Sequence, residues 1–253
     1  MIIPDAPFAH WIEALEARHL ADLRFAEVSR ALRALSSAYV ERRSRLAEGA
    51  ALSGAGKRAA FSLFYGPLHY LLIREIALAL PATRTTVQVL TDLGCGTGAA
   101  GVAWAAGMPR APAIEAIDRH PWALRETAWT CQSFGIRART RCDDLTRAPW
   151  PASPSAFVAA FSVNEVSDAS RARLLTRLLD RASRGDPVLV VEPLAGFVAP
   201  WWSAWRDAFV AAGGRADEWR FRVELPAIVA KLDRAAGLDH RELTARSLAS
   251  WSG

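Results

Sequence analysis

The chain has 253 residues, 51% of them hydrophobic, with a formal charge of +5. That length supports a full core, and no apolar run reaches the span of a bilayer, which excludes a helical membrane protein. The three cysteines, Cys95, Cys131 and Cys142, are not CxxC-spaced and have no histidine at a zinc-ligand spacing, so neither a disulfide framework nor a metal site is expected. The opening MIIPDAPFAH lacks the charged and long apolar regions of a secretory leader, so a cytoplasmic protein is expected. Lys57 and Lys231 are the only lysines, so the basic side is almost all arginine, a residue whose planar fork suits phosphate. An RNA partner is compatible with this balance; so is a plain bias toward arginine.

Residues 1–80 read as helical. From Phe8 to about Glu48 there is no glycine or proline, and Val28, Leu32, Leu35 and Tyr39 form one helical stripe opposite Arg24, Arg30, Arg33, Glu41 and Arg42. SGAGK (53–57) interrupts the pattern, and a second helical stretch covers 59–80, with a kink or break expected at Gly66-Pro67. From residue 87 strands and helices alternate. Strands are expected at 87–92, 113–118, 136–141, 156–163 and 187–193. Helices are expected from Gly98 to Gly107, from Pro121 to Gly135, and from Ser167-Asp168 to Gly185. After them come a tryptophan-rich helix (199–209), a half-exposed strand that reads as antiparallel (219–225), a helix closed by Gly237, and a last strand (241–249). The pattern predicts an α/β fold: a doubly wound, mainly parallel sheet in 81–253, preceded by a helical cap in 1–80.

The most informative stretch is TDLGCGTGAAG (91–101), which places Gly94, Gly96, Gly98 and Gly101 just after the first strand. Such a turn lets backbone approach a ligand closely and aims helix N-terminal N–H groups at it. Two registers compete. Gly96-Thr-Gly98-Ala-Ala-Gly101 satisfies the G-x-G-x-x-G of nicotinamide dinucleotide enzymes. Asp92-Leu-Gly94-Cys95-Gly96-Thr-Gly98 instead puts an acid at the strand end, where it would repel a pyrophosphate and favour a cation. The dinucleotide register also opens three residues past the expected strand end. The register beginning at Asp92 is preferred. Asp118, about twenty residues on, ends the second strand, where an acid in either class can accept ribose hydroxyls.

DLGCGTG, with AID (116–118), CDDL (142–145) and FSVNEVSD (161–168), resembles the class I S-adenosylmethionine-dependent methyltransferases over roughly residues 60–250. The resemblance implies a seven-stranded Rossmann-like sheet, S-adenosylmethionine as cofactor, and Asp92, Gly94, Cys95, Gly96, Gly98, Asp118 and Asp144 around it. Asp144, which Leu145 follows, is preferred to Asp143 for the adenine amino group. The substrate end is S162-V-N164-E165: Asn164 is the candidate to orient an acceptor, and Glu165 to take a proton. This is not the Asn-Pro-Pro-Tyr of many adenine, cytosine or glutamine methyltransferases. The acceptor, whether RNA, a small molecule or a protein, is left open. Trp201, Trp202 and Trp205 read either as core or as a stacking surface, and Tyr65, His69 and Tyr70 as structural or as a lid; Glu192 carries no assigned role.

A narrower likeness joins FSVNEVSD, VLVVEP and YGPLHY (65–70) to the ribosome-associated methyltransferase-like family of the mitochondrial small subunit. That family's extra cysteine ligands are missing after Glu192-Pro193, so no cluster is implied. The rival readings are therefore a non-catalytic binding protein of ribosome assembly and a nicotinamide-dependent oxidoreductase.

Overall fold

A computed structural model describes residues 2, 5–41, 52–81, 86–194 and 199–251 of the chain, without the side chains of 37–41. The expected place of Tyr39 in the helical stripe, and the expected helix beyond Glu41, lie outside the described residues. The chain divides into two compact units, residues 1–71 with 221–243, and residues 72–220 with 244–253. The units thus interleave along the sequence, where a contiguous division at 80/81 was expected.

In the first unit, helix α1 (Ala6–His19) starts where the Asp5 carboxylate accepts the Phe8 N–H at 2.9 Å, with Pro7 in the first turn. The expected unbroken helix stops at residues 20–24, and α2 (Phe25–Glu41) begins anew. No glycine or proline marks this break; the Glu27 carboxylate accepts the Arg24 N–H at 2.8 Å, half of a capping box. Helix α3 (Ala55–Ala60) runs into a π-helical turn (Phe61–Tyr65) and on into α4 (Gly66–Ala79). Gly66-Pro67 therefore does not break the helix. The Gly66 N–H reaches back to the Phe61 carbonyl, and the widened π turn accommodates a proline ring that would crowd a regular helix. Phe8, Trp11 and Tyr70 are buried together, with ring centroids 4.9–5.9 Å apart, so Tyr70 is a core residue. The fold of this unit returns late in the chain.

Seven strands form one sheet: β1 (Val89–Leu93), β2 (Ala113–Asp118), β3 (Ala138–Cys142), β4 (Ser155–Ala160), β5 (Val188–Glu192), β6 (Arg215–Arg222) and β7 (Glu242–Ser250). Helices between them are α5 (Ala99–Ala106), α6 (Pro121–Ser133), α7 (Asp168–Ser183) and α8 (Trp202–Ala211). Helix α9 (Ala227–Ala236), ended by Gly237 at φ 76, packs against α2 in the first unit. The sheet order is β3-β2-β1-β4-β5-β7-β6. The β1–β2, β2–β3, β1–β4 and β4–β5 pairs are parallel, and β5–β7 is antiparallel. Strand β6 opens at Arg215, earlier than its alternating pattern suggests, directly after a Gly213-Gly214 turn in which Gly213 has φ 83.

The connection from β3 to β4 is a loop, pinned by Arg177: it donates to the Thr146 and Ala148 carbonyls at 2.8 Å and lies 3.6 Å over the Trp150 ring. The core on this side joins Leu93, Phe157, Leu174, Leu178, Val190 and Trp205. Arg181 and Asp186 form a buried ion pair at 2.6 Å, and Asp186 also accepts the Ser155 N–H, which anchors the start of β4. The sheet order turns back between β1 and β4, so the carboxyl ends of β1 and β4, with β2 beside them, lie at a topological switch point, where open α/β sheets bind ligands.

Candidate functional site

The glycine loop leaves β1 at Leu93 and enters α5 at Ala99, on the carboxyl end of the sheet. Gly94, Gly96 and Gly98 all have positive φ, at 76°, 54° and 76°. Packing fixes two of them against side chains of the same unit. A Cβ on Gly94 would lie 2.5 Å from Ser162 Cβ, and one on Gly98 would lie 2.8 Å from Thr127 Cγ2. Gly101 has a different reason: its Cβ would lie 2.7 Å from Asp92 Oδ2. This glycine lets the first turn of α5 sit directly on the acid.

Asp92 is therefore turned inward. It is 1% exposed, and its Oδ2 accepts the Gly101 N–H at 3.0 Å. Burial, with the charge of Asp118, outweighs that hydrogen bond and pushes its pKa up to about 7. The acid near the strand end holds the loop to the helix. Cys95 likewise points inward: its thiol accepts from Thr127 Oγ1 at 3.2 Å, and burial raises its pKa well above the ordinary value. Only the Cys95 backbone belongs to the loop, its N–H donating to the Ile117 carbonyl at 3.2 Å and its carbonyl accepting the Gly98 N–H at 2.7 Å.

Asp118 ends β2 and faces the loop. One carboxylate oxygen accepts the Gly96 N–H at 3.0 Å and the other the His120 N–H at 2.8 Å. Each oxygen keeps a second lone pair, enough for a diol. Asp143 donates its N–H to the Asp118 carbonyl at 3.1 Å, which brings the end of β3 alongside. There Asp144 caps its own turn: Oδ1 accepts from the Thr146 N–H at 2.8 Å and hydroxyl at 2.7 Å, and Oδ2 pairs with Arg119. Partial burial opposes its ionisation, but the Thr146 hydrogen bonds and the Arg119 guanidinium outweigh it and hold the carboxyl below its usual range. Asp143 Oδ1 accepts the Asp144 N–H at 2.7 Å.

Strand β4 is followed by Phe161, a bulky residue at φ 57, a strained backbone of the kind that functional sites retain. A short 3-10 turn, Val163–Glu165, follows. The two candidate residues in this turn differ. Asn164 is held at both ends of its amide: Nδ2 donates to Glu192 Oε2 at 2.5 Å, and Oδ1 accepts the Trp201 indole N–H at 2.8 Å. Glu165 stays accessible to solvent although protein crowds it; that desolvation, with the charge of Asp118, pushes its pKa up to about 7. Asp118 is thus within electrostatic reach of both Asp92 and Glu165.

Residues that sequence reasoning left without a role complete the site. Glu192, fully buried at the end of β5, also accepts the Val163 N–H at 3.0 Å. Arg171 braces the same turn, donating to the Val163 carbonyl at 3.3 Å and the Val166 carbonyl at 2.7 Å. Trp202 and Trp205 are core residues, whereas Trp201 is half-buried and reaches the site through its indole nitrogen. One signal was available for Glu192: a lone acid closing the otherwise apolar run PVLVVE.

No protein-family model and no curated protein matches the sequence. Solved structures match. An O-methyltransferase described as putative, from Nostoc punctiforme PCC 73102, is 12% identical and covers 97% of this chain and 72% of its own, with a TM-score of 0.53. The fold is that of the class I S-adenosylmethionine-dependent methyltransferases. A putative RNA methyltransferase from Pyrococcus horikoshii is 13% identical over 74% of this chain and 86% of its own, with a TM-score of 0.49. A precorrin-6y C5,15-methyltransferase from Geobacter metallireducens GS-15 is 14% identical over 72% and 89%, with a TM-score of 0.46. The narrower likeness to the ribosome-associated family finds no specific support among them. Among the described residues, no helix is long and apolar enough to cross a membrane.

Proposed function

We propose that the protein transfers a methyl group from S-adenosylmethionine to an acceptor by direct displacement. The observation that carries this reading is the acidic character of the switch point. Asp118 and Glu165, from the ends of β2 and β4, lie within electrostatic reach of one another, with Asp92 behind them. Such a lining favours a sulfonium cation and disfavours a pyrophosphate. The donor set fits the cofactor. Asp118 would take the ribose hydroxyls with its remaining lone pairs, the Gly94–Gly98 backbone would line the cofactor's path, and Asp143 or Asp144, beside Leu145, would meet the adenine.

S-adenosylmethionine supplies an electrophilic methyl group on a positively charged sulfur. The chain aligns the acceptor with it, and alignment alone accounts for much of such a rate. As the acceptor atom bonds to the methyl carbon, the carbon–sulfur electron pair goes to sulfur. An acceptor that holds a proton loses it to the Glu165 carboxylate, the accessible group of the Val163–Glu165 turn. Asn164, held at both ends, supports the turn. The acceptor is RNA, a small molecule or a protein; the arginine-rich composition puts RNA first in a screen.

Transfer of a labelled methyl group tests this reading. Glu165→Gln should lose about 100-fold or more of the transfer rate at saturating cofactor, the usual range for a general base. The wild-type rate should rise with pH through about 7, where Glu165 ionises. Full transfer by the variant would remove Glu165 from the chemistry.

A further inference from the structure

Glu192 closes a buried, apolar strand and is 0% exposed. A carboxyl is expensive there unless hydrogen bonds satisfy it. Both of its oxygens accept from donors of one turn, Oε1 from the Val163 N–H at 3.0 Å and Oε2 from Asn164 Nδ2 at 2.5 Å. Its strand partner is Arg246 on β7, whose guanidinium lies 4.3 Å over the Trp202 ring. Asn164 in turn offers Oδ1 to Trp201 at 2.8 Å, and the Trp201 ring is covered by Arg171 at 5.4 Å. The chain of contacts therefore runs from β5 through the Val163–Glu165 turn to the residue just before α8. Its polarity has only one consistent direction: the indole N–H can only donate, so Asn164 must present its oxygen to Trp201 and its NH2 to Glu192.

We propose that Glu192 is the positioning residue of the acceptor side: with Trp201 it clamps Asn164, and through that clamp it fixes the turn that presents Glu165. This rests on the role given to Glu165 above and makes Glu192 act through other residues, without touching substrate or cofactor. The clamp requires a carboxylate, because both neighbours of Glu192 are donors. A glutamine offers one acceptor where two are needed, so Asn164 flips or the Val163 N–H is left facing an NH2. Burial pushes the Glu192 pKa up to about 8, with the charge of Glu165 adding and that of Arg246 subtracting. Protonation in that range removes one acceptor and loosens the clamp.

The test uses the Trp201 indole N–H resonance of the whole protein, 15N-labelled and identified by its loss in Trp201→Phe. It needs neither cofactor nor acceptor. In the wild type the resonance should shift with pH, with a midpoint near 8. In Glu192→Gln the titration should vanish and hydrogen exchange at that N–H should be at least about tenfold faster, the sign of a lost hydrogen bond. S-adenosylmethionine affinity should change less than about twofold, since Glu192 lies outside the cofactor residues. A wild-type Trp201 N–H that exchanges as fast as a solvent-exposed indole would overturn the proposal even if the variant failed to fold. So would a variant with unchanged exchange. A wild type that titrates as expected yet binds no S-adenosylmethionine would sink the methyltransferase reading and leave the clamp standing.

Discussion

Asp118 shows how one side chain can serve both fold and ligand. Its two oxygens already hold the Gly96 and His120 N–H groups, so it shapes the loop that it borders. Asp118→Ala should weaken S-adenosylmethionine binding by about 1–3 kcal/mol, the cost of losing charged hydrogen bonds, as read by calorimetry; an unchanged affinity would remove it from the site. Gly96→Arg should abolish binding, because Gly96 sits at φ 54 between Asp118 and Thr127 and its replacement would both strain the loop and fill the ligand's approach. Residue types at these positions were legible in the sequence; side-chain directions were not. Asp92 pairs with Ala116, two residues short of Asp118, so it stays within the sheet under α5 while Asp118 reaches the loop. Gly101 lets α5 sit directly on Asp92, and neither the register nor that packing is encoded in spacing.

The strands and helices of the sheet follow closely from periodicity and punctuation. The parallel strands β1, β2, β4 and β5 appear where an apolar run of the right length predicts them, because such strands are covered by the core, whereas the edge strand β3 is polar and mostly exposed. The misreadings are local. The break at residues 20–24 has no glycine or proline to announce it and is fixed by the Glu27 cap. Gly66-Pro67 looks like a break, but the π turn before it absorbs the proline. Two substitutions test the contacts that hold elements together. Gly101→Ala should cost about 1–3 kcal/mol in denaturant unfolding, since it overpacks the contact between α5 and β1. Asp186→Ala should cost about 3–5 kcal/mol, because it strands Arg181 as a buried, uncompensated charge. A loss below about 1 kcal/mol in either case would mean that the contact is dispensable.

Acids with raised pKa values, two of them buried, shape how the chain responds to pH. Asp92, Glu165 and Glu192 have folded-state pKa values raised from 3.8, 4.5 and 4.5 to about 7, 7 and 8. Between those limits the folded chain holds more protons than the unfolded chain, so stability falls as pH rises from about 4 to 8 and levels off above. Asp144, held below its usual range, acts in the opposite sense and only at lower pH. Thermal unfolding across pH should therefore show a declining melting temperature toward pH 8, and Asp92→Asn should flatten part of that decline. A melting temperature that climbs over the same window would contradict the raised pKa values of Asp92 and Glu192. Asp118 and Glu165 argue for a cationic ligand, and the most direct check is parallel calorimetric titration with S-adenosylmethionine, S-adenosylhomocysteine and NADH. Binding of the adenosyl ligands without NADH is the expected result. Binding of NADH alone would move the ligand to the register that starts at Gly96 and contradict the methyltransferase reading.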